Sequence, residues 1–158
     1  MLLYTDSILR VRKAFKVVLA IALVHLFPPK HHARSLRILD DVLNEDPNNV
    51  PCLMGRGRVL QYSGKWTEAE AIFSHVDELD SGPDVGLEAR EDRAWCKVKD
   101  GRLEEGIIEL KAVVQALDEG DGKADQKARV WWRLGKSIWD TGGMRFRRLT
   151  CISLTRNR

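Results

Sequence analysis

Little in this chain invites chemistry. Cysteine is scarce: Cys52, Cys96 and Cys151 lie far apart in 158 residues and form no CxxC. That excludes a disulfide framework and a thiolate zinc site and fits a reducing compartment. Only five prolines interrupt the chain, and β-branched runs are few, so helix is the favoured local state. The longest apolar run, Val17 to Phe27, is eleven residues long and contains His25; a bilayer-spanning helix needs about 20. Arg10, Arg12, Lys13 and Lys16 precede this run as they would in a signal peptide, but no small-x-small cleavage site follows. A buried or amphipathic helix is therefore expected, with a targeting segment as the alternative. No Ser-His-Asp order, P-loop or dinucleotide glycine pattern is present. His31-His32 has no cysteine or carboxylate at ligand spacing and reads as a solvated loop. Asp40-Asp41 and Glu104-Glu105 read as solvated helix faces. These absences predict no catalytic residue, no metal, no cofactor and no small-molecule substrate, hence no enzyme.

Charge is unevenly distributed. Residues 1–37 carry seven Lys/Arg against one acid, residues 38–142 carry fourteen against twenty-two, and residues 143–158 carry five arginines and no acid. The sequence pI of about 8.8 thus comes from the two ends. An acidic middle argues against nucleic acid as its main partner. The hydrophobic content of 44% with 31% charged residues is that of a folded domain.

What is present is a repeat. Gly64, Gly101 and Gly142 each close a helix-length stretch, at intervals of 37 and 41 residues, and seven residues before each stands a small residue: Gly57, Ala94 and Gly135. A period of this size signals stacked helical hairpins, which bind other proteins rather than do chemistry. Helices are expected over 8–27 (stopped by Pro28-Pro29), 33–45, 50–62, 67–79, 85–99, 103–118 and 123–140. The turns are Asp46-Pro47-Asn48-Asn49, Ser63-Gly64, Ser81-Gly82-Pro83-Asp84, Asp100-Gly101, Glu119 to Gly122 and Thr141-Gly142-Gly143. After Gly143 the pattern fails: residues 144–158 lack the alanine-rich second helix that should follow Gly142. Three segments result: 1–32, an N-terminal helix with a Pro/His loop; 33–143, the repeats; and 144–158, a basic tail expected to be disordered or aberrant.

Trp131-Trp132-Arg133-Leu134-Gly135 carries a W-x2-L-G opening, and through it the chain resembles the tetratricopeptide repeat (TPR) family. Counting Trp131 as repeat position four places Leu134 at seven, Gly135 at eight and Gly142 at fifteen. The same frame puts Leu53, Gly57, Gly64, Ala69, Phe73 and Val76 at four, eight, fifteen, twenty, twenty-four and twenty-seven. Ala94, Gly101, Gly106, Leu110 and Val113 take eight, fifteen, twenty, twenty-four and twenty-seven of the next repeat. A half repeat precedes, with Ser35 at twenty, Leu39 at twenty-four and Val42 at twenty-seven. Positions eight and twenty are small because the two helices of a hairpin cross closely there. The third repeat departs from the pattern with Arg90 and Arg93 at positions four and seven. The resemblance implies an all-α, TPR-like right-handed solenoid of antiparallel helical hairpins, about three and a half repeats, over residues 33–143.

More narrowly, the runs Asn44 to Gly57 and Trp131 to Asp140, with Ala94-Trp95-Cys96, look like the large TPR subunit of the fungal superkiller complex. That resemblance implies a fragment of a much longer protein-interaction scaffold. It implies as partners a helicase and WD40 subunits that feed messenger RNA to the cytoplasmic exosome, with RNA contact indirect, no membrane, and a cytoplasmic location (a nuclear one as a further option). The alternatives are a TPR adaptor in another pathway, or direct RNA binding through the basic ends. In TPR arrays, positions two, five, nine and twelve of the first helix face a concave groove. Here those are Met54 and Arg58, Glu91 and Trp95, and Trp132, Lys136 and Trp139. Three tryptophans there suggest an apolar anchor; the bland alternative is that they pack inside the superhelix. The Lys/Asn pattern that grips a C-terminal carboxylate is absent. Trp131 is expected in the core, and Gly57, Gly64, Ala69, Phe73, Ala94, Gly101, Gly106, Trp131, Leu134, Gly135 and Gly142 are the structural repeat positions.

Overall fold

The computed structural model describes residues 2–26, 28–79, 82–120 and 123–155, and within these the side chains of residues 11–140. The described residues form helices and no strand: α1 Leu2–His25, α2 His32–Glu45, α3 Val50–Tyr62, α4 Trp66–Glu78, α5 Pro83–Lys99, α6 Leu103–Glu119 and α7 Ala124–Thr155. The fold is all-α, of the TPR-like helical-repeat class. It divides into two compact units, residues 1–89 and 90–158.

Helix ends follow from local chemistry. Asn49 caps α3 by accepting a 3.3 Å bond from the Cys52 amide, with Pro51 in the first turn, where its missing N–H costs nothing. Gly64 and Gly101 end α3 and α5 with φ of 73° and 92°. At the first, the Lys65 amide donates to the Leu60 carbonyl and the Gly64 amide to Gln61; at the second, Arg102 donates to Lys97 and Gly101 to Val98. Both are Schellman closures, and both turn the chain into the next helix.

In the first unit α1 packs on α2 and α3, α2 on α3, and α3 on α4. Val17, Ala20, Val24, Leu39, Val42, Cys52 and Val59 form one buried cluster. Val17, Ala20, Ile21 and Val24 follow i, i+3, i+4, i+7 spacing, which is why α1 buries one stripe. The first segment of the chain therefore supplies the first helix of a hairpin with α2. At that crossing the buried Ser35 hydroxyl donates to the Ala20 carbonyl at 2.8 Å. His32, expected in a solvated loop, is instead buried in the first turn of α2. Its Nε2 lies 3.2 Å from the Val24 carbonyl, and its ring lies 5.3 Å from that of Tyr62. Nothing in the His31-His32 pair itself signals this contact with a helix-end carbonyl.

The α3–α4 hairpin closes on Gly57. A Cβ built there would lie 2.6 Å from Cζ of Phe73, a ring with no exposed surface; burying it contributes roughly 2–3 kcal/mol. In the second unit α6 packs on α7, and Gly106 of α6 meets α5. A Cβ at Gly106 would lie 2.5 Å from Cγ2 of Val98 and 2.8 Å from the backbone oxygen of Ala94.

Gly135 differs. A Cβ there meets nothing within 4 Å, so the crossing expected at this position is not formed. The stop expected at Thr141-Gly142-Gly143 is not formed either, because α7 continues to Thr155. Gly64 and Gly101 have left-handed backbone and turn the chain, whereas Gly142 lies within α7.

Candidate protein-interaction face

The residues expected to line a groove fall into two groups. Met54 and Glu91 are buried, at 5% and 0% exposure, and cannot present a surface. Arg58 is half-buried, its Nη2 2.6 Å from Oε1 of Glu88. His25 lies beside this pair; burial first, then the Arg58 charge, lower its pKa against the opposing pull of Glu88.

Glu91 owes its burial to α7. Arg129 holds it in a bidentate grip, Nε to Oε1 at 2.8 Å and Nη2 to Oε2 at 2.7 Å. Arg133 Nη1 lies 3.1 Å from Glu91 Oε1 and 2.9 Å from Asp92 Oδ1. Paired carboxylates against paired guanidinium groups satisfy geometry that lysine cannot. On the α6 side, Arg93 Nε and Lys97 Nζ reach Glu109 at 3.3 Å and 2.6 Å. Repeat three thus carries an ion-paired seam that includes Arg93 at position seven, acids toward α7 and bases toward α6. Arg129 and Arg133 were not singled out by the sequence reading; an i, i+4 arginine pair on a helix with two adjacent acids on α5 was the available signal.

The second group is open. Trp132 is 61% exposed and Trp139 80%, seven residues apart on one side of α7. Lys136 lies between them, with Nζ 3.6 Å from Asp140. Trp95 is half-buried, its ring 6.0 Å from that of Trp132, with Lys99 Nζ at 4.7 Å and the Arg133 guanidinium at 5.4 Å from it. Such cations over an indole face hold it in place. Trp131, expected in the core, is 54% exposed, and Ile138 is 50% exposed. The buried side of α7 is instead Gln126, Val130, Leu134 and Ser137. Register in the sequence gives which residues share a side of the helix; it does not give that Trp131 is left more than half exposed.

Among the described residues no group of three or more His, Cys, Asp or Glu is placed to hold a metal ion, and no helix is long and apolar enough to cross a membrane. Cys52 and Cys96 are buried thiols. Burial, reinforced by the nearby Asp46 charge, pushes the Cys52 thiol up to about 11, which suppresses the reactive thiolate.

No family model matches the chain. It is similar to Superkiller protein 3 of Saccharomyces cerevisiae, 26% identical over 126 residues, 79% of this chain and 9% of that protein. It is also similar to Superkiller protein 3 of Schizosaccharomyces pombe, 23% identical over 127 residues, 80% of this chain and again 9% of the relative. The chain spans about a tenth of the length of either relative. The likeness runs through four-fifths of an all-helical chain, and the chain resembles a helical scaffold segment of that kind.

Proposed function

We propose that this chain is a protein-interaction segment of a superkiller-type scaffold. Rigid hairpins present the α7 tryptophans to a protein partner, and affinity comes from burying indole surface. The observation that carries the reading is the pairing of Trp132 and Trp139, more than half exposed, on a helix whose other side is fixed by the Arg129–Glu91–Arg133 network. Tryptophans on a rigid element are the residues that dominate interface energies. The likeness to Superkiller protein 3 supports a helicase and WD40 subunits as the partner class. Cytoplasmic exosome-linked mRNA decay is then the pathway served, with no catalysis by the chain itself.

The test is affinity capture of the tagged chain from a yeast extract, in parallel with Trp132→Ala/Trp139→Ala. Recovery of superkiller subunits by the parent and loss by the folded double variant is the expected result. Equal recovery by both removes the tryptophan face from the account. Capture of RNA that falls steeply with added salt, without protein partners, favours direct RNA binding instead.

A further inference from the structure

The ionic seam and the aromatic face meet at one side chain. Arg133 is 13% exposed, and its Nη1 lies 3.1 Å from Oε1 of Glu91 and 2.9 Å from Oδ1 of Asp92. The same guanidinium group lies 5.4 Å from the centre of the Trp95 ring. Glu91 and Trp95 are one turn apart on α5, so one planar group spans the buried acids and the indole that follows them. Trp95 in turn lies 6.0 Å from the Trp132 ring, with the two planes tilted by 45°. Trp132 is 61% exposed and immediately precedes Arg133 in α7.

An exposed indole can turn about its side-chain torsions, and burial does not fix Trp132. Trp95 can hold it in the tilted geometry that aromatic pairs prefer, but only if the Trp95 ring is itself held. Two cations lie against that ring. Lys99 is exposed, and its ammonium is a point charge on a flexible stem. Arg133 is anchored by two carboxylates, and its flat guanidinium stacks on an indole as an ammonium does not. Of the two, Arg133 is the one whose position is fixed from the interior.

The geometry points to Arg133 as a positioning residue of the interaction face: acting through Trp95, it sets the orientation in which Trp132 is presented. This inference rests on the protein-interaction reading above for its consequence, and on the indole pair alone for its geometry. It calls for arginine rather than any base at position 133, since lysine cannot grip both acids and lie flat on the ring.

Two indoles at this distance and tilt couple as an exciton pair, which circular dichroism reads. All spectra use the Trp131→Phe chain, so that the indole next in sequence does not contribute. The spectrum of that chain minus the spectrum with Trp132→Phe added is expected to show a couplet. The couplet is expected to vanish when the same difference is taken with Arg133→Met in both chains, to return only in small part with Arg133→Lys, and to survive Lys99→Met. In the capture experiment above, Arg133→Met is expected to recover superkiller subunits as poorly as Trp132→Ala, with its helix signal retained. If Arg133→Met loses its helix signal, Arg133→Lys, which keeps a charge beside Asp92, carries the test. An undiminished couplet in folded Arg133→Met, or full recovery of it by Arg133→Lys, overturns the positioning role. So does capture by folded Arg133→Met equal to that by the parent. Absence of a couplet in the parent overturns the indole pair itself. A couplet that requires Arg133, in a chain that captures no subunit, supports the positioning and removes the interaction reading alone.

Discussion

One substitution, glycine to alanine, has opposite consequences at two positions of this chain. In Gly106→Ala the new methyl carbon would stand 2.5 Å from Val98 Cγ2, 2.8 Å from the Ala94 oxygen and 3.0 Å from the Val98 nitrogen. The methyl group of Val98 can rotate away, but the oxygen and nitrogen belong to the α5 backbone, so the two helices must separate. Overpacking of this kind costs about 1–3 kcal/mol, and contact with backbone places it toward the upper end. Helix propensity returns about 1 kcal/mol when glycine becomes alanine. The net is a loss of about 1–2 kcal/mol, or a fall in melting temperature of roughly 2–8 °C at about 2–4 °C per kcal/mol for a chain this long. In Gly135→Ala nothing lies within 4 Å, only the propensity term remains, and the melting temperature is expected to rise by a few degrees. Far-UV circular dichroism melts of the two variants beside the parent decide the matter. A neutral or stabilised Gly106→Ala would refute the close approach of α5 and α6, and a destabilised Gly135→Ala would refute the open face of α7.

Glu91→Ala removes a fully buried carboxylate that two arginines share, leaving Arg133 on Asp92 and the partly exposed Arg129 without its bidentate partner. The loss of these charge-assisted bonds is expected to cost about 1–3 kcal/mol; a urea midpoint unchanged from the parent would show that the network adds no stability. Trp139→Ala, at a position 80% exposed, is expected to change stability by no more than about 0.5 kcal/mol; a large drop in melting temperature would assign the ring to a core. Gln126 carries a buried Nε2 with no hydrogen-bond partner, so Gln126→Met is expected to gain about 1 kcal/mol, read from the same urea titration. Asp46 is held below its ordinary pKa by the Asn49 side chain first and then by Lys13. Its contribution is present above the unfolded value near 4 and is lost as pH falls through the lower folded value. Asp46→Asn should therefore flatten the acid limb of the stability–pH curve, and an unchanged limb would show that the Asp46 cluster is not coupled to folding. Cys52, with its thiol pushed up to about 11, should be alkylated at pH 8 only under denaturant, as followed by site-resolved mass spectrometry; rapid labelling of the native chain would contradict its burial.

Sequence reasoning located the hairpins well because their signals are local. Two glycines with left-handed backbone, an asparagine cap and a proline in a first turn each act within a few residues of themselves. Gly57 and Gly106 were legible as close crossings because the helix that crosses each is encoded beside it. The same logic misplaced Gly135 and Trp131: a Cβ at Gly135 meets nothing within 4 Å and Trp131 is 54% exposed, because a repeat frame gives a residue's position without supplying the helix that would pack on it. Gly142 lies within α7 rather than at its end. The candidate face was half legible. Register placed Trp132, Lys136 and Trp139 together on α7. It also placed Met54 and Glu91 on a surface they do not reach; for Glu91 the reason is its partners Arg129 and Arg133, which lie about forty residues away in sequence. His32 shows the same limit at short range: a polar residue adjoining a loop was read as solvated, whereas a carbonyl at the end of α1 draws it inside.

Residue-resolved oxidative footprinting of the five tryptophans, on the chain alone and then with purified superkiller helicase and WD40 subunits, tests the central claim most directly. The account predicts that Trp131, Trp132 and Trp139 are modified readily in the free chain, that Trp66 and Trp95 are modified slowly, and that the subunits protect Trp132 and Trp139. Trp132 and Trp139 already protected in the monomeric chain, or unprotected in the presence of a subunit that binds it, would contradict the claim that this face of α7 is the protein-interaction surface.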